Sequence, residues 1–276
     1  MTVQVTIKAG FIRLGRSALI ASGLLILLLT WGAASHSQDT STIPRSPASA
    51  TAITVSTWGT GFVVGEGYVL TALHVVQGQS GLFVGPDAAN RMVPAELVQT
   101  DATLDLALLK ARLDYPPVVF APTTNLPTGL EISVIGFPQP RFQGLGKKIT
   151  QGIINGYRNE RHSAQDKGLF QISAEVSKGN SGGPVFAPDG TVIGMVQRKI
   201  NVKRVAEQTE DMLINVSYAL RSSQIIAFLQ SGPASPRIRN LSLSTVLRPY
   251  QIFEQSQLSV VGVIGRSRTD PPAQTP

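Results

Sequence analysis

The 276 residues are 42% hydrophobic and 15% charged, with 26 Gly and 18 Pro, which suits a sizeable core with many turns and excludes a coiled coil or a wholly disordered chain. Without Cys there are no disulfides, thiolate zinc sites, iron–sulfur clusters or cysteine nucleophile, and three widely spaced histidines (His36, His74, His162) argue against a histidine-rich metal site. The net charge of +7 includes Lys8, Arg13 and Arg16 in an acid-free first 34 residues, and the remaining 21 basic and 17 acidic residues are scattered, so no nucleic-acid partner is implied.

Taken in chain order, the first segment is for targeting. Behind the basic flank, Ser17 to Ala34 is an uncharged run centred on Leu24 to Leu29. As a helix it would span roughly 27 Å, slightly short of a bilayer's hydrocarbon core. Gly32-Ala33-Ala34 offers the small residues of a cleavage site. Residues 1–34 are therefore either a cleaved signal peptide or an uncleaved membrane anchor, and both readings place the rest of the chain outside the cytoplasm. Residues 35–53, rich in Ser, Thr, Ala and Pro, read as a flexible tether.

From 54 to 231 the pattern is short β. Gly61 to Val64, a Gly65-Glu66-Gly67 turn and Tyr68 to Leu70 predict a hairpin. Further strands are expected at 81–85, 92–99, 105–111, 131–137, 149–155, 169–173, 183–187, 191–197 and 212–219, separated by Gly, Pro, Asn or Asp. Only Leu220 to Leu229 has helical spacing, with Ile225, Ile226 and Leu229 on one face. The fold class is all-β, a barrel or sandwich. Ser231 to Pro236 breaks the chain again, and 232–276 reads as a partly disordered tail. Its strand-like stretch from Leu258 to Ile264 is a candidate extra strand for the body.

Three segments carry chemistry. Thr71-Ala72-Leu73-His74 follows the hairpin, Asp105-Leu106-Ala107-Leu108-Leu109 opens an apolar strand with an acid, and Gly179-Asn180-Ser181-Gly182-Gly183-Pro184 flanks a serine with glycines. Singly, each is ordinary: a core histidine, a turn aspartate with Asp101 as competitor, a glycine-rich loop. Gly59-x-Gly61 and Gly65-x-Gly67 precede a strand rather than a helix, which excludes a nucleotide-binding turn.

Together, in this order, the segments resemble the trypsin-fold serine peptidases, most closely the bacterial HtrA/Deg-like branch. Gly59-Thr60-Gly61-Phe62-Val63-Val64, Val134-Ile135-Gly136-Phe137-Pro138 and Val216-Ser217-Tyr218-Ala219-Leu220 add to the likeness. The resemblance covers about 54–231. It implies two perpendicular antiparallel β-barrels with an active site in the cleft between them, a C-terminal helix on the barrel, polypeptide substrates and no cofactor. It also implies a triad of Ser181 as nucleophile, His74 as general base and then acid, and Asp105 as orienter, with the backbone amides of Gly179 and Ser181 as oxyanion hole. Asp105 is preferred to Asp101 because it adjoins the apolar strand, as the family acid does. No Ile-Val-Gly-Gly-like segment suggests zymogen activation, and the PDZ domain that often follows such proteases does not fit in the tail. The competing reading is a non-catalytic binding module at the cell envelope, with an intact triad and a collapsed oxyanion loop.

For the specificity pocket, the resemblance points to Glu175 and Val176 before the nucleophile, and to Met195 to Lys199, including Val196 and Gln197, after Gly194. A carboxylate on the pocket floor would select Lys or Arg, but an unpaired buried carboxylate is costly. The expectation is cleavage after small aliphatic residues, with Glu175 turned to solvent or paired with Lys178, Arg198 or Lys199.

Overall fold

The computed structural model describes residues 52–87, 91–157, 168–199 and 217–269. The expectations for residues 1–34, for the tether up to 51 and for a strand over 212–216 lie outside the described residues. Among the described residues no helix is long and apolar enough to cross a membrane.

β1 (Ala52–Gly65) and β2 (Tyr68–Ala72) form the expected hairpin. Its turn requires Gly67, whose φ of 66° is left-handed and whose missing Cβ would sit 2.7 Å from the Ala111 carbonyl. β3 (Gly81–Gly85), β4 (Val93–Asp101) and β5 (Leu106–Ala111) continue the sheet antiparallel, and β5 returns to β2. The barrel closes through β14 (Val260–Thr269), which lies between β1 and β3 in the order β1-β14-β3-β4-β5-β2. An end to the folded body near residue 231 is therefore too early. Val260 to Gly265 are all buried, so β14 is an integral barrel strand.

The second barrel runs through β10 (Pro184–Phe186), β7 (Glu131–Gly136), β8 (Lys148–Tyr157), β9 (Leu169–Ile172), β12 (Ser217–Arg221) and β11 (Val192–Lys199), and the pairing of β10 with β11 closes it. The two-residue strands β6 (Val119–Phe120) and β13 (Arg237–Ile238) are added in parallel beside β11. One apolar cluster fills the first barrel and runs on to Ile135, Phe186 and Leu220 of the second, while a separate cluster lies within the second. Phe62, Leu70, Leu106, Leu108 and Val263 belong to one cluster, while Ile132, Ile154, Phe170, Ile172 and Val185 belong to the other. Each fully buried side chain of this size contributes about 1.5–3 kcal/mol.

Among the described residues, four short helices decorate the barrels. α1 (Leu73–Val76) carries His74, and α2 (Pro140–Gln143) lies in the β7–β8 connection. α3 (Ser222–Gln230) matches the expected helix and packs Ile225, Phe228 and Leu229 into the first-barrel cluster. The sequence does not announce α4 (Pro249–Ser256), because only Ile252 and Ser256 are buried, too few for a helical period. The segment before α4 is tied down by buried Asp189, which accepts hydrogen bonds from Thr191, the Ser242 N–H and the Arg239 guanidinium. Burial pushes the Asp189 carboxyl up, but these bonds and the Arg239 charge outweigh it and hold it below the usual carboxylate range.

Candidate active site

His74 stands two residues past the end of β2, as the second residue of α1. The turn is pinned to β1 by the Thr57 hydroxyl, which donates to the Val75 carbonyl at 2.7 Å. Gly59 permits this closeness, since a Cβ there would meet Val75 Cγ1 at 2.5 Å. Asp105 ends the β4–β5 turn in the left-handed region, with φ 52°, a conformation that aspartate tolerates better than most residues. Its own carbonyl accepts from the Leu73 N–H at 3.0 Å, so the two segments are clamped by backbone as well.

The Asp105 carboxylate makes two contacts with one residue. Oδ1 accepts the His74 backbone N–H at 2.9 Å, and Oδ2 lies 2.6 Å from His74 Nδ1. A carboxylate only accepts, so Nδ1 carries the proton and the lone pair of the neutral ring is on Nε2. The His74 side chain is 47% exposed and that of Asp105 28%, which leaves one edge of the imidazole open to solvent. Asp101 is occupied elsewhere: its Oδ1 accepts the backbone N–H groups of Thr103 and Leu104, both at 2.9 Å, and so shapes the turn that presents Asp105.

Ser181 lies in the loop before β10, half-buried. The loop is held from several sides. Asn180 N–H donates to the Ser177 carbonyl, Gly183 N–H to Asn180, and Gly182 N–H to Val196 of β11. From the first barrel, Thr60 N–H donates to the Ser181 carbonyl at 2.9 Å and the Thr60 hydroxyl to the Gly179 carbonyl at 2.6 Å. From the β7–α2 connection, Gln139 N–H donates to the Lys178 carbonyl at 2.7 Å. Gly179 has φ 102°, and a Cβ there would lie 2.2 Å from the Phe137 carbonyl, so only glycine fits. Among the described residues, the N–H groups of Gly179 and Ser181 donate to no protein acceptor. A pair of unengaged backbone donors flanking Asn180 suits a developing negative charge.

The residues expected in the specificity pocket divide between solvent and core. Glu175 is exposed and has no ion pair among the described residues, and its carbonyl accepts from the Thr150 hydroxyl. Val176 and Val196 are buried in the second-barrel cluster. Gln197 is buried too, but its side-chain amide donates to the Leu104 carbonyl beside Asp105. Lys178 is exposed, while the side chains of Arg198 and Lys199 lie outside the described residues. Among the described residues no group of three or more His, Asp or Glu could hold a metal ion.

Sequence reasoning missed Thr60, Thr57 and Gln139. Thr60 sits inside a quoted motif, between two glycines on a strand, and that crowding was its only signal.

Two closed antiparallel barrels, with a His–Asp pair on the first and a glycine-flanked serine beside the second, are the architecture of the trypsin-like peptidase fold. The match to known proteins agrees. Residues 59–195 match the trypsin-like peptidase domain family. The Bacillus subtilis serine protease Do-like HtrA is 29% identical over 217 residues, covering 73% of this chain and 44% of that protein. A probable periplasmic serine endoprotease DegP-like from Halomonas elongata is 34% identical over 139 residues, covering 50% of this chain and 28% of that one. The structure of the HtrA-type protease AlgW with decapeptide aligns with a TM-score of 0.52 at 28% identity, over 63% of this chain and 50% of that chain. The chain carries a trypsin-like peptidase domain and is similar to HtrA-like serine proteases, the match spanning less than half the length of these curated relatives.

Proposed function

We propose that the protein is an exported serine endopeptidase that hydrolyses peptide bonds of polypeptide substrates through an acyl-enzyme. The observation that carries this reading is the Asp105–His74 pair, in which the carboxylate fixes the imidazole so that Nε2 is the free base. Ser181 Oγ attacks the carbonyl carbon of the scissile bond while its proton passes to His74 Nε2. The oxygen of that carbonyl, now negative, is received by the N–H groups of Gly179 and Ser181. When the C–N bond breaks, His74 returns the proton to the leaving amine, and Ser181 is left as an ester. Water attacks the ester, giving its proton to Nε2, and the acid product leaves as Ser181 regains its hydrogen.

The loop geometry favours catalysis over the non-catalytic binding module. Turning the 178–179 peptide over would replace a donor by a carbonyl in the oxyanion hole, and it would break the Gln139–Lys178 bond. Glu175 in solvent favours cleavage after small aliphatic residues rather than after Lys or Arg. The apolar run at 17–34 behind its basic flank, with the periplasmic relative, supports a place outside the cytoplasm, the segment serving as signal peptide or membrane anchor.

The test is hydrolysis of casein and of a peptide panel varied at the residue before the cut. The expected outcome is a rate that Ser181→Ala lowers by about 10⁴- to 10⁶-fold with the fold unchanged. A fluorophosphonate should label the wild type and not the variant. A purified Ser181→Ala protein as active as the wild type would refute the reading, and a folded wild type that neither cleaves nor labels would favour the binding module.

A further inference from the structure

We infer that Thr60 is the positioning residue of the oxyanion hole, a role that rests on the peptidase reading above. Thr60 is on β1 of the first barrel, fully buried, and every polar atom it carries is engaged at the barrel junction. Its N–H donates to the Ser181 carbonyl at 2.9 Å. Its hydroxyl donates to the Gly179 carbonyl at 2.6 Å and accepts the Phe137 N–H at 3.0 Å. Its carbonyl accepts the Thr71 hydroxyl at 2.7 Å, three residues before His74.

The consequence lies in which carbonyls are held. Gly179 and Ser181 are the two residues whose N–H groups are free for the oxyanion, and Thr60 holds the carbonyl of each. A carbonyl fixes the peptide plane that follows it. The Gly179 carbonyl thus sets the plane of the 179–180 peptide, while the grip on Ser181 fixes the far side of the same turn. The Phe137 N–H in turn fixes the start of the segment whose Gln139 restrains Lys178. The Thr60 hydroxyl therefore holds the 179–180 peptide that lies between the two donor-bearing peptides, and its backbone N–H holds the peptide after Ser181. Fully buried, Thr60 presents no surface of its own to a substrate.

Close packing makes the arrangement exclusive. A Cβ on Gly182 would come 2.3 Å from the Thr60 carbonyl, and one on Gly136 would come 2.9 Å from its hydroxyl. Gly136 thus leaves room for the hydroxyl at position 60, and Gly182 for the backbone that carries it. Valine has the same shape as threonine but leaves the Gly179 carbonyl and the Phe137 N–H without partners.

The test compares Thr60→Val and Thr60→Ser with the wild type by steady-state hydrolysis, pH profile, affinity for a peptide boronic acid and thermal midpoint. A boronate bonded to Ser181 is tetrahedral and engages the oxyanion donors, whereas peptide bound to a Ser181→Ala background does not. Removing an oxyanion donor outright lowers kcat by roughly 10²- to 10³-fold. Thr60→Val keeps the backbone bond to Ser181 but loosens the 179–180 peptide between the two donors, which should lower kcat about 10- to 100-fold, with KM within about threefold. Boronate affinity should fall by a similar factor, while peptide affinity in the Ser181→Ala background and the pH profile stay unchanged. Thr60→Ser should recover kcat to within about threefold, since the hydroxyl is what matters.

Thr60→Val with wild-type kcat, or a loss shared equally by Thr60→Ser, would overturn the inference, as would a loss confined to KM. Thr60→Ala, which adds no bulk, is judged by the same pattern should the valine variant not fold. A wild type without Ser181-dependent hydrolysis would overturn the peptidase reading itself, and this inference with it.

Discussion

At the scale of single residues, the two candidate acids show how position rather than type assigns a role. Asp101 and Asp105 are four apart on the same turn, and each carboxylate accepts backbone N–H groups. Only Asp105 also meets the imidazole. Replacing it with Asn puts a donor within reach of Nδ1, which favours the tautomer that has its lone pair on the wrong nitrogen. Asp105→Asn should therefore lower kcat by about 10⁴-fold. Asp101→Asn keeps an acceptor oxygen for Thr103 and Leu104, so activity should stay within a fewfold and stability within about 1 kcal/mol. Parallel kcat measurements and denaturation midpoints separate the two. If Asp101→Asn proved the crippling change, the acid would have to be reassigned. The ordering of these residues was legible because it is local: histidine, acid and serine each lie beside a strand or turn that the sequence signals. Thr60 and Gln139 were not legible, because the loop carbonyls they hold, those of Gly179, Ser181 and Lys178, are more than thirty residues away and only folding brings them together.

At the scale of elements, β14 decides whether the first barrel exists. β1 pairs with it from Ala52 to Phe62, and β3 pairs with its other edge from Gly81 to Gly85. Removing β14 would expose two strand edges and unseat Val260, Val261, Val263 and Ile264, all buried. At about 1.5 kcal/mol or more for each such side chain, the loss is comparable to a domain's whole stability. A chain ending at Gln257 should be insoluble or should lack a cooperative unfolding transition, which expression and thermal melting will reveal. A soluble truncated protein with full activity would mean that the barrel closes without this strand. Sequence signalled a strand at 258–264, yet its partner could not be read off. The pairing joins residues about two hundred positions apart, and an all-buried strand carries no alternation to fix which face meets which neighbour.

At the scale of the molecule, function requires the two barrels to keep one relative placement, since His74 is on the first and Ser181 beside the second. Among the contacts across the junction, Lys147 is electrostatically unusual. It precedes β8 of the second barrel, and its ammonium donates to the carbonyls of Gln257 and Val260 where β14 enters the first. Burial lowers its pKa to about 8, an effect that the nearby Asp87 charge only partly opposes. In the unfolded chain the group returns to its ordinary value of 10.5. Between pH 8 and 10.5 the unfolded state therefore binds more protons than the folded one, and stability must rise with pH across that window. Below pH 8 both states are protonated and this contribution is flat. For a group partly open to water the rise should be about 1–2 kcal/mol. Lys147→Met keeps the length of the side chain and removes the titration. Urea unfolding of both proteins from pH 7 to 10 should give a difference curve that is level to pH 8 and then climbs in favour of the wild type. Curves that stay parallel throughout would mean that Lys147 titrates alike in both states, and that the junction imposes no desolvation on it.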